Sequence, residues 1–106
     1  MESSDILKNA YDYISNSDDV FNVCLVKRFI GDAIVPQYIS FQMWLGTSVV
    51  MFKLYANDDL KTFKLISDDK VILDKVELSK LFDKIHKLKL RLGDSDITGT
   101  RKILDV

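Results

Sequence analysis

Three pairs of adjacent aspartates are the residues of this chain that most resemble a site for acid–base or metal chemistry. The pairs are Asp18-Asp19, Asp58-Asp59 and Asp68-Asp69, and neighbouring carboxylates can share a proton or bind a divalent cation. None has the Asp-x-Asp-x-Asp-Gly spacing of a calcium loop. In an antiparallel meander the first and third pairs lie at one end of the sheet and the second at the other. We therefore interpret all three as turn residues, because Asp readily hydrogen-bonds nearby backbone.

Cys24 and His86 are the other side chains with catalytic potential, and each is the single residue of its type. Two such ligands are too few for the usual Cys and His zinc sites. A pair of Cys24 and His86 would need a third group to orient the base, and none is apparent. Because Cys24 lies in the apolar run VFNVCLV, we expect it to be a small buried hydrophobe, and His86 to be structural.

Glycine-rich nucleotide-binding patterns and the G-x-S-x-G pattern of hydrolases are absent from the sequence. A single Cys also excludes an internal disulfide. The sequence therefore predicts a protein that is not an enzyme, with no cofactor and no metal ion.

Composition narrows the class of protein. The chain has 106 residues, 47% of them hydrophobic, which suits one globular domain. Its 15 basic and 16 acidic residues give a net charge of −1, whereas proteins that coat nucleic acids usually carry a basic excess. Apolar runs are too short to span a membrane, and the polar start does not resemble a secretory signal, so we expect a cytoplasmic protein. Abundant Asp and Lys with few Ala suggest an AT-rich genome, such as that of a low-GC bacterium, one of its phages or plasmids, or an AT-rich virus.

The residues above must be positioned by a sheet, because the middle of the chain has strand-like patterning. Four strands are predicted over residues 20–30, 34–45, 49–56 and 60–66, with a short fifth over 71–73. Gly31 can supply the positive φ of a two-residue hairpin turn, and Pro36 indicates an edge, a bulge or an unpaired strand end. The short connections favour an antiparallel meander.

Helices are predicted on both sides of these strands. Residues 4–15 carry apolar side chains at helical spacing. Asp74 and Glu77 resemble a capping box for a second helix that ends at Gly93. The predicted fold class is therefore α+β, with an antiparallel β-meander of 4–5 strands flanked by an N-terminal and a C-terminal α-helix. Residues 1–93 form the predicted domain, and residues 94–106 a C-terminal tail that is flexible or docked.

Side-chain alternation on the second and third predicted strands collects aromatic residues on one face. Ile39, Phe41, Met43 and Leu45 point to one side as an ordinary core. The opposite side combines aromatic, Met and polar side chains, a composition typical of protein interfaces. A two-helix, one-sheet domain commonly covers both faces of its sheet, so the simpler expectation is that a helix of the same chain lies here. The alternative is a protein-binding surface, whose candidate residues are Tyr38, Gln42, Trp44, Met51 and Tyr55.

A basic stripe on the second predicted helix supports a different function. Lys80, Lys84, Lys87 and Arg91 follow helical spacing opposite the apolar face, and such a stripe could follow a phosphate backbone. We favour a solvated helix face instead, since Asp83 lies four residues before Lys87 and partly neutralises the stripe.

Two functional hypotheses follow. The first is a non-enzymatic protein–protein interaction protein, of the kind that phages and mobile elements encode as small inhibitors or adaptors, with another protein or a second copy of the chain as partner. The alternative is a nucleic-acid-binding accessory protein that uses the basic stripe. Nucleic acid is the less favoured partner, and no membrane partner is expected.

Overall fold

The computed structural model describes residues 3–88 and shows one five-stranded antiparallel sheet with a helix at either end of the chain. Strands follow one another in sequence order β1-β2-β3-β4-β5, as in a meander, so the predicted α+β class is confirmed. The elements are α1 (Ser3–Ser15), β1 (Val20–Ile30), β2 (Ala33–Leu45), β3 (Ser48–Ala56), β4 (Thr62–Ser67), β5 (Lys70–Glu77), a 3-10 turn (Leu78–Lys80) and a helical segment, α2, over residues 81–88.

Both helices pack on the same face of the sheet. Alternate strand residues such as Phe41 and Phe52, whose ring centroids lie 5.5 Å apart, meet buried side chains of α1 and α2. We call this side the covered face. It is formed by Ile39, Phe41, Met43, Leu45, Phe52, Leu54, Phe63, Leu65 and Val76 from the sheet, with Ile6, Leu7, Ala10, Ile14, Leu81 and Ile85 from the helices.

A bulge in β1 decides which of its side chains reach the core. Phe21 lies opposite Gln42 and Cys24 opposite Ser40, so Asn22 and Val23 together face one residue of β2. Asn22 has a φ of 53°, in the left-handed region that Asn tolerates better than most residues. The bulge reverses the alternation of β1 and turns Val23 towards the core.

The prediction that Cys24 is buried is wrong, because the same bulge turns this side chain away from the core. Cys24 is exposed and shares a face with Ser40. The apolar run around it indicated a strand, but not which members of the strand face the core.

A second irregularity makes the β1–β2 hairpin project beyond the sheet. The register shifts between Val26 and Lys27, which leaves Gln37 as an extra residue in β2. This irregularity lies next to Pro36, where a bulge was one of the predicted possibilities. Strand β3 pairs with β2 only over residues 39–45. Residues 27–36 therefore form a two-stranded arm, whose tip exposes Phe29, Ile30 and Ile34.

The end of the sheet corrects the predicted start of the second helix. Asp74 and Glu77 lie within β5, where Glu77 pairs with Thr62 and Val76 with Phe63, so the predicted capping box is wrong. Burial of Val76 in the core outweighs the weak local signal of a helix start. The predicted helix end at Gly93 and the predicted tail, 94–106, lie outside the described residues.

The aspartate pairs occupy turns, as predicted. Asp59 accepts hydrogen bonds from the backbone N–H groups of Lys61 and Thr62 and from the Thr62 hydroxyl. These hydrogen bonds hold the pKa of the Asp59 carboxyl below its usual value. Asp68 and Asp69 both have positive φ in the tight β4–β5 turn. All three aspartate pairs thus lie in turns between elements of the fold.

Candidate protein-binding surface

The side of the sheet opposite the helices is the candidate functional surface. Because α1 and α2 both pack on the covered face, no helix among residues 3–88 lies on this second face. The expectation that a helix of the same chain covers it is therefore wrong for the described part of the chain. We call this surface the open face and define it by Phe21, Tyr38, Gln42, Trp44, Val49, Met51, Lys53, Tyr55 and Lys64.

The structure places all five predicted interface residues on the open face. Gln42 lies directly opposite Met51, and Trp44 lies opposite Val49 on the neighbouring strand. Trp44 is 57% exposed and Met51 52% exposed, whereas Tyr38, Gln42 and Tyr55 are half-buried. The open face therefore presents two large side chains to solvent, beside half-buried polar groups.

One end of the open face is organised around Trp44. Its ring lies 6.5 Å from that of Phe21, centroid to centroid, at an interplanar angle of 36°. Next to this pair, the amide of Asn22 donates a hydrogen bond to the side-chain oxygen of Gln42. The β1 bulge supplies both Phe21 and Asn22, so the backbone irregularity also supports Trp44 and Gln42.

The other end of the open face combines aromatic rings with cations. The rings of Tyr38 and Tyr55 lie 5.1 Å apart. The Lys53 ammonium stands 5.2 Å from the Tyr38 centroid, and the Lys64 ammonium 5.9 Å from the Tyr55 centroid. Both distances allow cation–π attraction, which keeps the two charges close to the sheet.

A recess of about 250 Å³ borders the open face where β3 meets the β4–β5 turn. Met51, Lys53 and Ile66 line it from the strands, and Ser67, Asp68 and Asp69 line it from the turn. The Ser67 hydroxyl donates to the backbone oxygen of Met51, which ties the turn to β3. The recess offers a partner a small depression next to the exposed Met51 side chain.

Sequence reasoning missed Phe21 and Lys64 as members of this surface. The strand pattern of β1 carries no sign of the bulge except Asn22, a residue that tolerates positive φ. Lys64 could have been assigned only with the register of β4 against β3, in which it lies opposite Tyr55. Register depends on pairing between strands, which the alternation within one strand does not reveal.

The basic stripe is only partly present on the helix. Lys84 and Lys87 are exposed on α2. Lys80 lies in the preceding 3-10 turn, not on the helix as predicted, and its ammonium is 3.6 Å from the Glu77 carboxylate. Arg91 lies outside the described residues. These positions are compatible with a solvated helix face.

Groups capable of catalysis stay apart. His86 lies 3.2 Å from the Asp19 carboxylate, where it links α2 to the loop after α1, and Cys24 is on the open face. Within residues 3–88, no three His, Cys, Asp or Glu side chains are grouped so that they could hold a metal ion. The same part of the chain contains no helix with the length and apolar character needed to cross a membrane.

Comparison of the chain with protein-family models, with curated proteins and with solved structures finds no match. The proposals below therefore depend on the residues and geometry of the open face.

Proposed function

We propose that this chain is a non-enzymatic protein that binds another protein through the open face and acts as an inhibitor or adaptor of that partner. The observation that carries the proposal is the exposure of Trp44 and Met51 on a sheet face that no described helix covers. Exposed aromatic and Met side chains surrounded by half-buried polar groups are the usual composition of interaction hot spots.

Side chains of the open face are already held in place by contacts within the chain, which favours binding. Trp44 is held beside Phe21, and Gln42 is held by Asn22, so these side chains need little further ordering when a partner binds. The exposed apolar residues Trp44, Val49 and Met51 are neighbours. Trp44 pairs with Val49 across β2 and β3, and Met51, which lies opposite Gln42, is two residues from Val49 on the same face. They form one continuous patch, and such patches mark interaction sites more often than scattered apolar residues do.

Affinity capture with Trp44→Ala tests this proposal. The tagged wild-type chain serves as bait in an extract of the source cells, and captured proteins are then measured against purified variants. Removal of a large, exposed Trp is expected to weaken association by about 2 kcal/mol or more, roughly 30-fold in Kd. Circular dichroism of each variant verifies that it remains folded.

Phe29→Ala is the matched control, since it removes another exposed aromatic side chain, 75% exposed, on the arm and not on the open face. A combined Lys84→Gln and Lys87→Gln variant tests the basic stripe in the same assay. The proposal is wrong if Trp44→Ala binds every captured protein as tightly as wild type. It is also wrong if only the Phe29 or the lysine variant loses the partner.

A further inference from the structure

Charge is segregated in this molecule in a way that bears on what the open face binds. The whole chain has a net charge of −1, yet β1 to β4 contain no Asp or Glu at all. Their charged residues are Lys27, Arg28, Lys53 and Lys64. The four strands β1 to β4 are therefore cationic within an almost neutral protein, and the acidic residues of the sheet, Asp74 and Glu77, lie in the edge strand β5.

Two of these cations lie on the open face beside its aromatic residues and have no partner carboxylate there. Lys53 and Lys64 stand over Tyr38 and Tyr55, and within residues 3–88 neither of them makes an ion pair. Asp68 and Asp69 line the recess that Lys53 also lines, without pairing with it. The two ammonium groups are therefore available to carboxylates of another molecule.

We infer that the partner segment bound by the open face is both apolar and acidic. Its apolar side chains would pack on Trp44 and Met51, and its carboxylates would meet Lys53 and Lys64. Lys53 lies opposite Ser40, four residues along β2 from Trp44, which corresponds to about 13 Å between anchor and charge. This inference rests on the proposed function and adds the chemistry of the partner.

A second copy of the chain fits the open face less well. Two open faces in contact would place the ammonium groups of Lys53 and Lys64 from both copies in one interface, while the carboxylates that border the face, those of Asp68 and Asp69, lie in the turn at its edge. Buried charges without partners are strongly unfavourable. The charge pattern therefore favours a different, acidic protein.

Single-stranded nucleic acid is also anionic, but the aromatic rings are poorly arranged for it. Proteins of that kind stack successive bases on free ring faces. Tyr38 and Tyr55 instead contact each other, and a lysine ammonium stands over each ring. Trp44 is the one mostly exposed ring among the aromatic residues of the open face. An acidic peptide segment meets these constraints better than a nucleic acid.

Selection from a displayed library of random 12-residue peptides tests the inference with the full chain as target. Peptides that bind wild type and not Trp44→Ala are sequenced, synthesised and titrated by the fluorescence of Trp44, the single Trp of the chain. We expect Asp and Glu to be enriched next to apolar residues. A combined Lys53→Gln and Lys64→Gln variant should bind these peptides about tenfold more weakly, with a reduced dependence on salt.

The matched control makes the same change of charge on the other side of the molecule. Lys8→Gln with Lys84→Gln alters exposed residues of α1 and α2 and should leave peptide affinity unchanged. Selected peptides without acidic enrichment, bound equally by the Lys53 and Lys64 variant, overturn the partner chemistry and leave the proposed function standing. If no selected peptide depends on Trp44, the proposed function itself fails.

Two further measurements can overturn the inference in favour of another occupant. The first is a titration with an oligothymidylate of twelve nucleotides. Quenching of Trp44 fluorescence that is lost when Lys53 and Lys64 are substituted would assign the face to nucleic acid. A concentration-dependent dimer of the wild-type chain that Trp44→Ala abolishes, measured by analytical ultracentrifugation, would assign it to a second copy.

Discussion

The covered and open faces of the sheet are built from the same strands and share a backbone, yet they differ in chemistry. Along β2, Phe41 and Met43 are buried on the covered face, while Gln42 and Trp44 alternate with them on the open face. The covered face is closed by two helices and is entirely apolar. The open face mixes aromatic, polar and cationic side chains and has no helix over it within residues 3–88. One face is packed against the helices, and the other exposes Trp44 and Met51 to solvent.

This difference shows that residue size alone does not identify a core. Trp44 is the larger side chain, but Phe41 meets Phe52 and the helices whereas Trp44 meets solvent. The free energy gained from an apolar side chain depends on the area removed from water, not on the area that it carries. Three pairs of substitutions test the comparison.

The largest effect is expected from truncation on the two faces of β2. Phe41→Ala should lower the free energy of unfolding by about 3–5 kcal/mol, because it leaves a cavity in the core. Trp44→Ala should lower it by about 1 kcal/mol or less, since most of the ring is already in water. Urea denaturation followed by circular dichroism measures both. Equal losses would show that Trp44 belongs to the core and that the open face is not free.

A smaller effect is expected at the helix that closes the covered face. Ile85 is fully buried, so Ile85→Ala should cost about 2–4 kcal/mol. Phe82 is half-buried and stacks on Tyr13 with centroids 5.9 Å apart, so Phe82→Ala should cost less than Ile85→Ala. The sequence pattern alone predicts losses of about 2–5 kcal/mol at both positions. Thermal and urea unfolding of the two variants compare them, and a reversed order would contradict the packing of α2.

The smallest effect is expected at the β1 bulge, which reverses the alternation of side chains along that strand. Asn22→Val should cost about 1–2 kcal/mol, because a β-branched residue is strained at the positive φ found there. Asn22→Gly, the control, relieves that strain and should stay within about 1 kcal/mol of wild type. Both variants lose the hydrogen bond to Gln42, so their difference in urea denaturation isolates the backbone. A Val variant as stable as the Gly variant would mean that no bulge is present.

Much of the fold could be predicted because local signals agree with the final structure. Gly31 has the positive φ expected of its turn, and the aspartate pairs lie in turns as their side chains favour. The alternation of β2 assigned both of its faces correctly. The start of α2 was predicted wrongly, because Asp74 and Glu77 satisfy a local capping pattern while Val76 is required opposite Phe63. Pairing with a distant strand prevailed over a local signal.

The candidate site divides in the same way between local and distant information. Tyr38, Gln42 and Trp44 share a face because they alternate along one strand, and this needs no tertiary structure. The contact of Trp44 with Phe21, and the positions of Lys53 and Lys64 over tyrosines, depend on pairing and register between strands. Neither the pairing nor the register can be predicted from the pattern of one strand. A change of register by one residue moves every side chain of a strand to the other face of the sheet.

Local sequence was enough to predict the strands, their turns and the two kinds of side chain that alternate along β2 and β3. It did so because these properties depend on residues a few positions apart, whose sterics and hydrogen bonds act locally. That both helices pack on one face depends on tertiary contacts, which the pattern of a single strand does not reveal. Both helices bury their apolar sides against the continuous apolar surface around Phe41 and Phe52, because packing there removes the apolar area of helices and sheet from water together. The aromatic and cationic face has no helix over it within residues 3–88.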